Sequence, residues 1–188
     1  MTTPLRAALR GSLGFAAVSV AAFSVWAFGG KWFRGHGGDP AMYAVIAAVF
    51  LGLTGALLHP LARGPRPLVR FTRVFVPAFL AYAGAWCGAW FLLGFGRGEW
   101  LGSLAGSAAF ALVAGLLLGN PRAFPRAGLA LFIGHSAGYF AGGPLYDSVK
   151  PGHATLGMLG WGLLYGLGFG AGIGYAFFAY QDQAPGKT

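Results

Sequence analysis

The chain has 188 residues, 56% of them hydrophobic and only 9% charged, with a mean hydropathy of +0.64 and a formal net charge of +9. A soluble domain carries roughly 25% charged residues, so the composition excludes an ordinary water-soluble protein and points to an all-α, polytopic membrane protein. The basic residues are dispersed between apolar runs, which argues against a nucleic-acid partner and for the lipid bilayer, with anionic headgroups at the inner arginines.

Apolar runs of about 20 residues cross a bilayer as helices, because an unpaired backbone group in hydrocarbon costs several kcal/mol. Six such spans are predicted, at about 12–30, 41–61, 74–95, 99–119, 127–146 and 154–180, forming a single integral membrane domain over 1–188. The first follows Arg6 and Arg10 but is long and lacks a small-x-small cleavage site, so it reads as a retained span and not a signal peptide. Its Ala17 and Ala21 are spaced for helix contact. The second, "MYAVIAAVFLGLTGALL", is featureless, whereas the third places Trp86 and Trp90 one turn apart around the single Cys87. The fourth contains "GSLAGSAAF", the fifth contains His135 among Gly134, Gly138, Tyr139 and Gly142, and the sixth is the most glycine-rich.

The breaks, "KWFRGHGGDP", "ARGPRPLVRFTR", "GRGE", "NPRAFPR" and "PLYDSVKPGH", are rich in Gly, Pro or charge. With the N-terminus inside, nine basic residues (Arg6, Arg10, Arg63, Arg66, Arg70, Arg73, Arg122, Arg126, Lys187) lie inside, against four (Lys31, Arg34, Arg97, Lys150) outside. This asymmetry predicts cytoplasmic termini and a multi-pass protein of a bacterial-type inner membrane. Similar stretches, "GALLHPLARGPR" at 55–66 and "GLLLGNPRAFPR" at 115–126, hint at a 60-residue hairpin repeat, with Pro185 continuing the Pro65 and Pro125 series.

Membrane helices associate through small residues that let backbones approach. Gly162, Gly166, Gly170 and Gly174 form one stripe on the sixth span, and Gly157, Gly160, Gly168 and Gly172 fall on another flank. Gly134, Gly138 and Gly142 supply a matching stripe on the fifth. Glycine-zipper packing, with the sixth span central, is the expectation.

His135 is the one ionisable group expected near the bilayer midplane, where such groups are functional candidates. Trp86, Trp90 and Trp161 are expected to wall an outward-facing aromatic pocket with Tyr139 and His135 nearby and His153, His36, Asp39, Glu99 and Asp147 at its mouth. Apart from Glu99 at the outer edge of the fourth, no span contains Asp or Glu, which disfavours ion-coupled transport through buried carboxylates, and no motif names a catalytic residue, a metal site or a cofactor. The expected role is binding or passing a small molecule, as a transporter's substrate-binding subunit or a channel. The alternatives are an accessory subunit with a membrane-protein partner, a homo-oligomer, or more remotely an intramembrane hydrolase.

In size, span number and topology the chain is similar to the substrate-binding subunits of energy-coupling-factor vitamin transporters, a likeness that implies capture of an organic ligand from the outer side. Ser103 or Ser107 in "GSLAGSAAF" and His153 in "GHATLG" also resemble the nucleophile and base of rhomboid intramembrane proteases. That pattern requires Gly-x-Ser-Gly around the serine and polar residues in the second span, and this chain has neither. "KPGHAT" is similar to the Pro-Ser-Gly-His box of type-2 phosphatidic acid phosphatases but lacks its serine.

Overall fold

The computed structural model describes residues 3–94 and 96–182, all in helices and turns; Lys187 and Pro185 lie outside the described residues. Helix α1 runs over Pro4–Gly35, α2 over Gly38–Leu58, α3 over Pro67–Leu93, α4 over Arg97–Leu117 and α5 over Phe124–Asp182, with short 3-10 turns at His59–Leu61 and Pro121–Ala123. These helical runs give five segments long and apolar enough to cross a membrane. Phe28, Phe91 and Leu92 stay largely exposed, which leaves an apolar outer surface.

The residues that start and stop these helices are legible in their chemistry. Pro4 and Pro67 open α1 and α3, where a missing N–H costs nothing. Helix α4 ends in a Schellman motif: Gly119, at φ 71, turns the chain so that its N–H meets the Leu116 carbonyl while the Asn120 N–H meets the Gly115 carbonyl.

The fifth and sixth spans expected from sequence are joined in α5, and the only helical break is His153, at φ −143 and ψ 63. Pro144 and Pro151 remove two backbone donors ahead of it, which weakens the helix on the approach to the break. The two halves of α5 then pack antiparallel. A Cβ built on Gly134 would strike the Gly168 carbonyl oxygen, one on Gly138 the Leu164 carbonyl oxygen, and one on Gly142 the Trp161 ring.

The second half of α5 also faces α1. Gly166 lies against Ala16 and Ser19, Gly170 against Gly11 and Phe15, and Gly174 against Ala7. Gly162 seats the Phe23 ring, and a Cβ there would come within 2.7 Å of it. A third set of close approaches, not singled out in the sequence, joins α3 to α4: Gly98 receives Trp90, Gly102 receives Trp86 and Gly106 receives Tyr82. The four-residue step on both helices keeps each aromatic opposite a glycine.

Where no glycine intervenes, aromatic rings fill the interior. Phe71, Phe75 and Phe79 stack in succession along α3, with centroids 5.3 Å apart at each step. Phe15, Phe110, Phe169 and Phe177 close around them, all essentially without solvent contact.

One end of the bundle gathers arginines. Side chains from elsewhere in the chain reach the last described carbonyls of α5: Arg126 Nη2 to the Ala179 carbonyl at 3.0 Å, Asn120 Nδ2 to the Tyr180 carbonyl at 3.0 Å, and Arg63 Nη1 to the Gln181 carbonyl at 3.2 Å. Cationic caps also suit the negative end of the helix dipole. Arg63 and Arg126, expected at the lipid headgroups, therefore have internal partners. Asn120→Ala is expected to lower stability by about 1–2 kcal/mol, since it strips a buried carbonyl of its donor, as measured by denaturant unfolding in detergent.

Candidate functional site

The end of the bundle opposite the arginine caps carries Glu99 at the start of α4 and Asp147 near the break in α5. A groove of about 450 Å³ opens there, lined by Glu99, Tyr139, Phe140, Tyr146, Asp147 and Trp161, a volume within the range of small-molecule sites. Glu99 is held in place twice. Its Oε1 accepts from the Tyr139 hydroxyl at 2.9 Å and its Oε2 from the Gly96 backbone N–H at 3.2 Å, so the carboxylate both caps α4 and faces the groove.

The aromatic walls brace one another. Trp161 lies 5.5 Å from Tyr139 and 5.8 Å from Tyr146, ring centre to ring centre. Its ring rests on Gly142, and its indole N–H is buried with no hydrogen-bond partner. At the rim Lys150 already shows what the surface accepts: its ammonium pairs with Asp147 at 2.7 Å and lies 5.1 Å over the Tyr146 ring.

Tyr139 and Trp161 thus line one groove with Glu99 and Asp147. Trp86 is set behind it, against Tyr139 at 5.7 Å and against Gly102, with its indole N–H also buried and unpartnered. The backbone of Trp90 lies against Gly98 and its ring against Phe91, and it is not part of the groove lining. His36 stacks on Trp32 at 4.4 Å, and neither it nor Asp39 lines the groove. His153, at the break in α5, is exposed.

His135 sits deeper, fully buried beneath Tyr139, with Tyr82, Tyr139, Tyr165 and Phe169 at 5.4–5.6 Å around it. Its Nδ1 is 2.8 Å from Ser103 Oγ, which also meets Ser136 Oγ at 2.6 Å. The sequence offered no serine–histidine pair of this kind, because the resemblance to rhomboid proteases points to His153. The partner of Ser103 is His135, in the first half of α5 ahead of the break at His153, on the face that Gly134 and Gly138 bring against the interior.

A hydroxyl bonded to an imidazole has the form of an activated nucleophile. Ser103 and His135 both have no solvent exposure, however, and His135 Nε2 meets no carboxylate or other polar group. Neither residue lines the groove above them. Their arrangement satisfies buried polar atoms between α4 and α5. Ser103→Ala should cost about 1–3 kcal/mol, the penalty for leaving a buried ring nitrogen and Ser136 without their shared partner, read as a lower denaturant midpoint in detergent.

Among the described residues no three His, Cys, Asp or Glu side chains come together as a metal site. No protein-family model, curated protein or solved structure matches the chain.

Proposed function

We propose that the protein is an integral membrane protein of six crossings that binds a small organic cation in the groove between α4 and the two halves of α5. The observation that carries this reading is the meeting of two carboxylates, Glu99 and Asp147, with the aromatic faces of Tyr139, Tyr146 and Trp161 around one small cavity. Aromatic faces attract a cation through their quadrupole and a carboxylate adds a charge-assisted hydrogen bond. The Lys150 ammonium at the rim, held by Asp147 and Tyr146 together, supports the choice of an ammonium-like ligand.

The break at His153 and the antiparallel halves of α5 support counting that element as two crossings. An even number of crossings puts both termini on one side, and the arginines gathered at that end favour the cytoplasm of a bacterial-type inner membrane. The groove then opens to the outer side, as suits a substrate-binding subunit or the mouth of a channel. Glycine contacts of the zipper kind hold the two halves of α5 and α1 together.

One observation favours a second reading, an accessory subunit. Gly84 and Gly88, one turn apart on α3, have open space around them, so a helix of another protein has a smooth face on which to dock.

A thermal-shift series in detergent separates the two readings. Primary and quaternary ammonium compounds should raise the melting temperature where carboxylates of similar size do not, and Glu99→Gln should remove the response. No shift with any cation, or a shift unchanged in Glu99→Gln, would sink the first reading.

A further inference from the structure

A second groove, of about 400 Å³, lies at the arginine end of the bundle, lined by Arg66, Arg70 and Arg73 together with Val69, Leu117 and Leu118. Arg66 is the residue just before α3, and Arg70 and Arg73, three residues apart, share a face of its first two turns. Arg63 and Arg126 are helix caps, but these three have no carboxylate partner among the described residues. Asp182, the acid described at this end, is 4.0 Å from Arg63.

The surrounding backbone increases the excess of positive charge. Helix α3 starts here, with no acidic residue in its first turn and no side chain capping it, so its positive dipole end adds to the arginines. The neighbouring carboxyl end of α4 is closed by its own Schellman bonds from Gly119 and Asn120, which leaves the arginines no capping role there. Arg66 itself stands at φ 52, a left-handed conformation that a residue with a side chain adopts only at a cost.

Three uncompensated guanidiniums at a helix start call for an anion, and the apolar wall beside them calls for a hydrocarbon chain. We propose that this groove is a site for an anionic phospholipid, whose phosphate is held by Arg66, Arg70 and Arg73 and whose acyl chain lies along Val69, Leu117 and Leu118. Guanidinium forks match phosphate oxygens in pairs, which makes the site more selective than a diffuse basic surface. The site rests on the membrane reading above, not on the cation groove.

The test titrates dioleoylphosphatidylglycerol into the purified full chain in a non-ionic detergent and counts bound lipid by native mass spectrometry. One molecule should bind with at least about tenfold preference over dioleoylphosphatidylcholine, and Arg66→Gln/Arg70→Gln/Arg73→Gln should weaken it at least about tenfold, three basic contacts at a membrane surface being worth up to about a hundredfold. Arg6→Gln/Arg10→Gln, at the same end but in another groove, should change it less than about twofold. Arg66→Lys/Arg70→Lys/Arg73→Lys keeps the charge without the forks and should fall between wild type and the glutamine variant; it also serves if the glutamine variant does not fold. Equal affinity for both lipids, undiminished binding in both triple variants, or an equal loss in the Arg6/Arg10 variant would overturn the site. Inorganic phosphate that binds alone as tightly as the lipid would overturn the lipid assignment in favour of a soluble phosphate. Resistance of the protein to alkaline carbonate extraction from its membrane checks the membrane reading separately.

Discussion

Gly168→Val should prevent the bundle from assembling. A Cβ at this position would strike the Gly134 carbonyl oxygen and would lie 3.0 Å from the Gly138 nitrogen and 3.1 Å from its Cα. The obstacle is helix backbone and not a movable side chain. Overpacking a core usually costs about 1–3 kcal/mol, and here relief requires the two halves of α5 to separate along their length. The expected loss is at the upper end of that range or beyond it, seen as aggregation on gel filtration and a collapsed denaturant midpoint. Gly88→Val, on α3 where no atom lies within 4 Å of the added carbon, should stay folded within about 0.5 kcal/mol. Equal tolerance at both positions would contradict the packing described here.

The second large effect concerns the groove. Trp161→Ala removes the wall shared by Tyr139 and Tyr146, and Glu99→Gln removes the charge that Tyr139 and Gly96 orient. Each should weaken binding of an organic cation about tenfold to a hundredfold, on the scale of a desolvated cation–π contact or a charge-assisted bond at about 2 kcal/mol. Trp161 also rests on Gly142, so Trp161→Phe provides the control that keeps packing while reducing the cation attraction. Calorimetric titration of a primary alkylammonium, which carries the N–H that a charge-assisted bond to Glu99 requires, measures all three. Loss in Trp161→Ala alone, with Glu99→Gln and Trp161→Phe unchanged, would mark the groove as packing only.

The all-helical character and the long apolar helices are legible in the sequence because the length and hydropathy of a run are local properties. The two flanks of the last apolar run, Gly162 to Gly174 and Gly168 with Gly172, face α1 and the first half of α5 in turn. The α3–α4 contact was not readable in the same way, since Gly98, Gly102 and Gly106 acquire meaning only when Trp90, Trp86 and Tyr82 arrive in antiparallel register. The same limit applies to the site. Residue type marked Trp161, Tyr139 and His135 as candidates, but not that Glu99 reaches the Tyr139 hydroxyl or that Ser103 meets His135, pairings across 40 and 32 residues. That Arg63 and Arg126 bond carbonyls near the end of α5 is a tertiary pairing that no local pattern of charge carries.

The most direct test of the central claim is native mass spectrometry of the protein extracted gently from its own membrane, with no ligand added. A single small organic cation, bound one to one and absent from the Glu99→Gln variant, is the predicted result. A chain carrying only lipid, or one that travels with other polypeptides and retains no small molecule, would contradict the claim and favour an accessory subunit docked through the open face of α3.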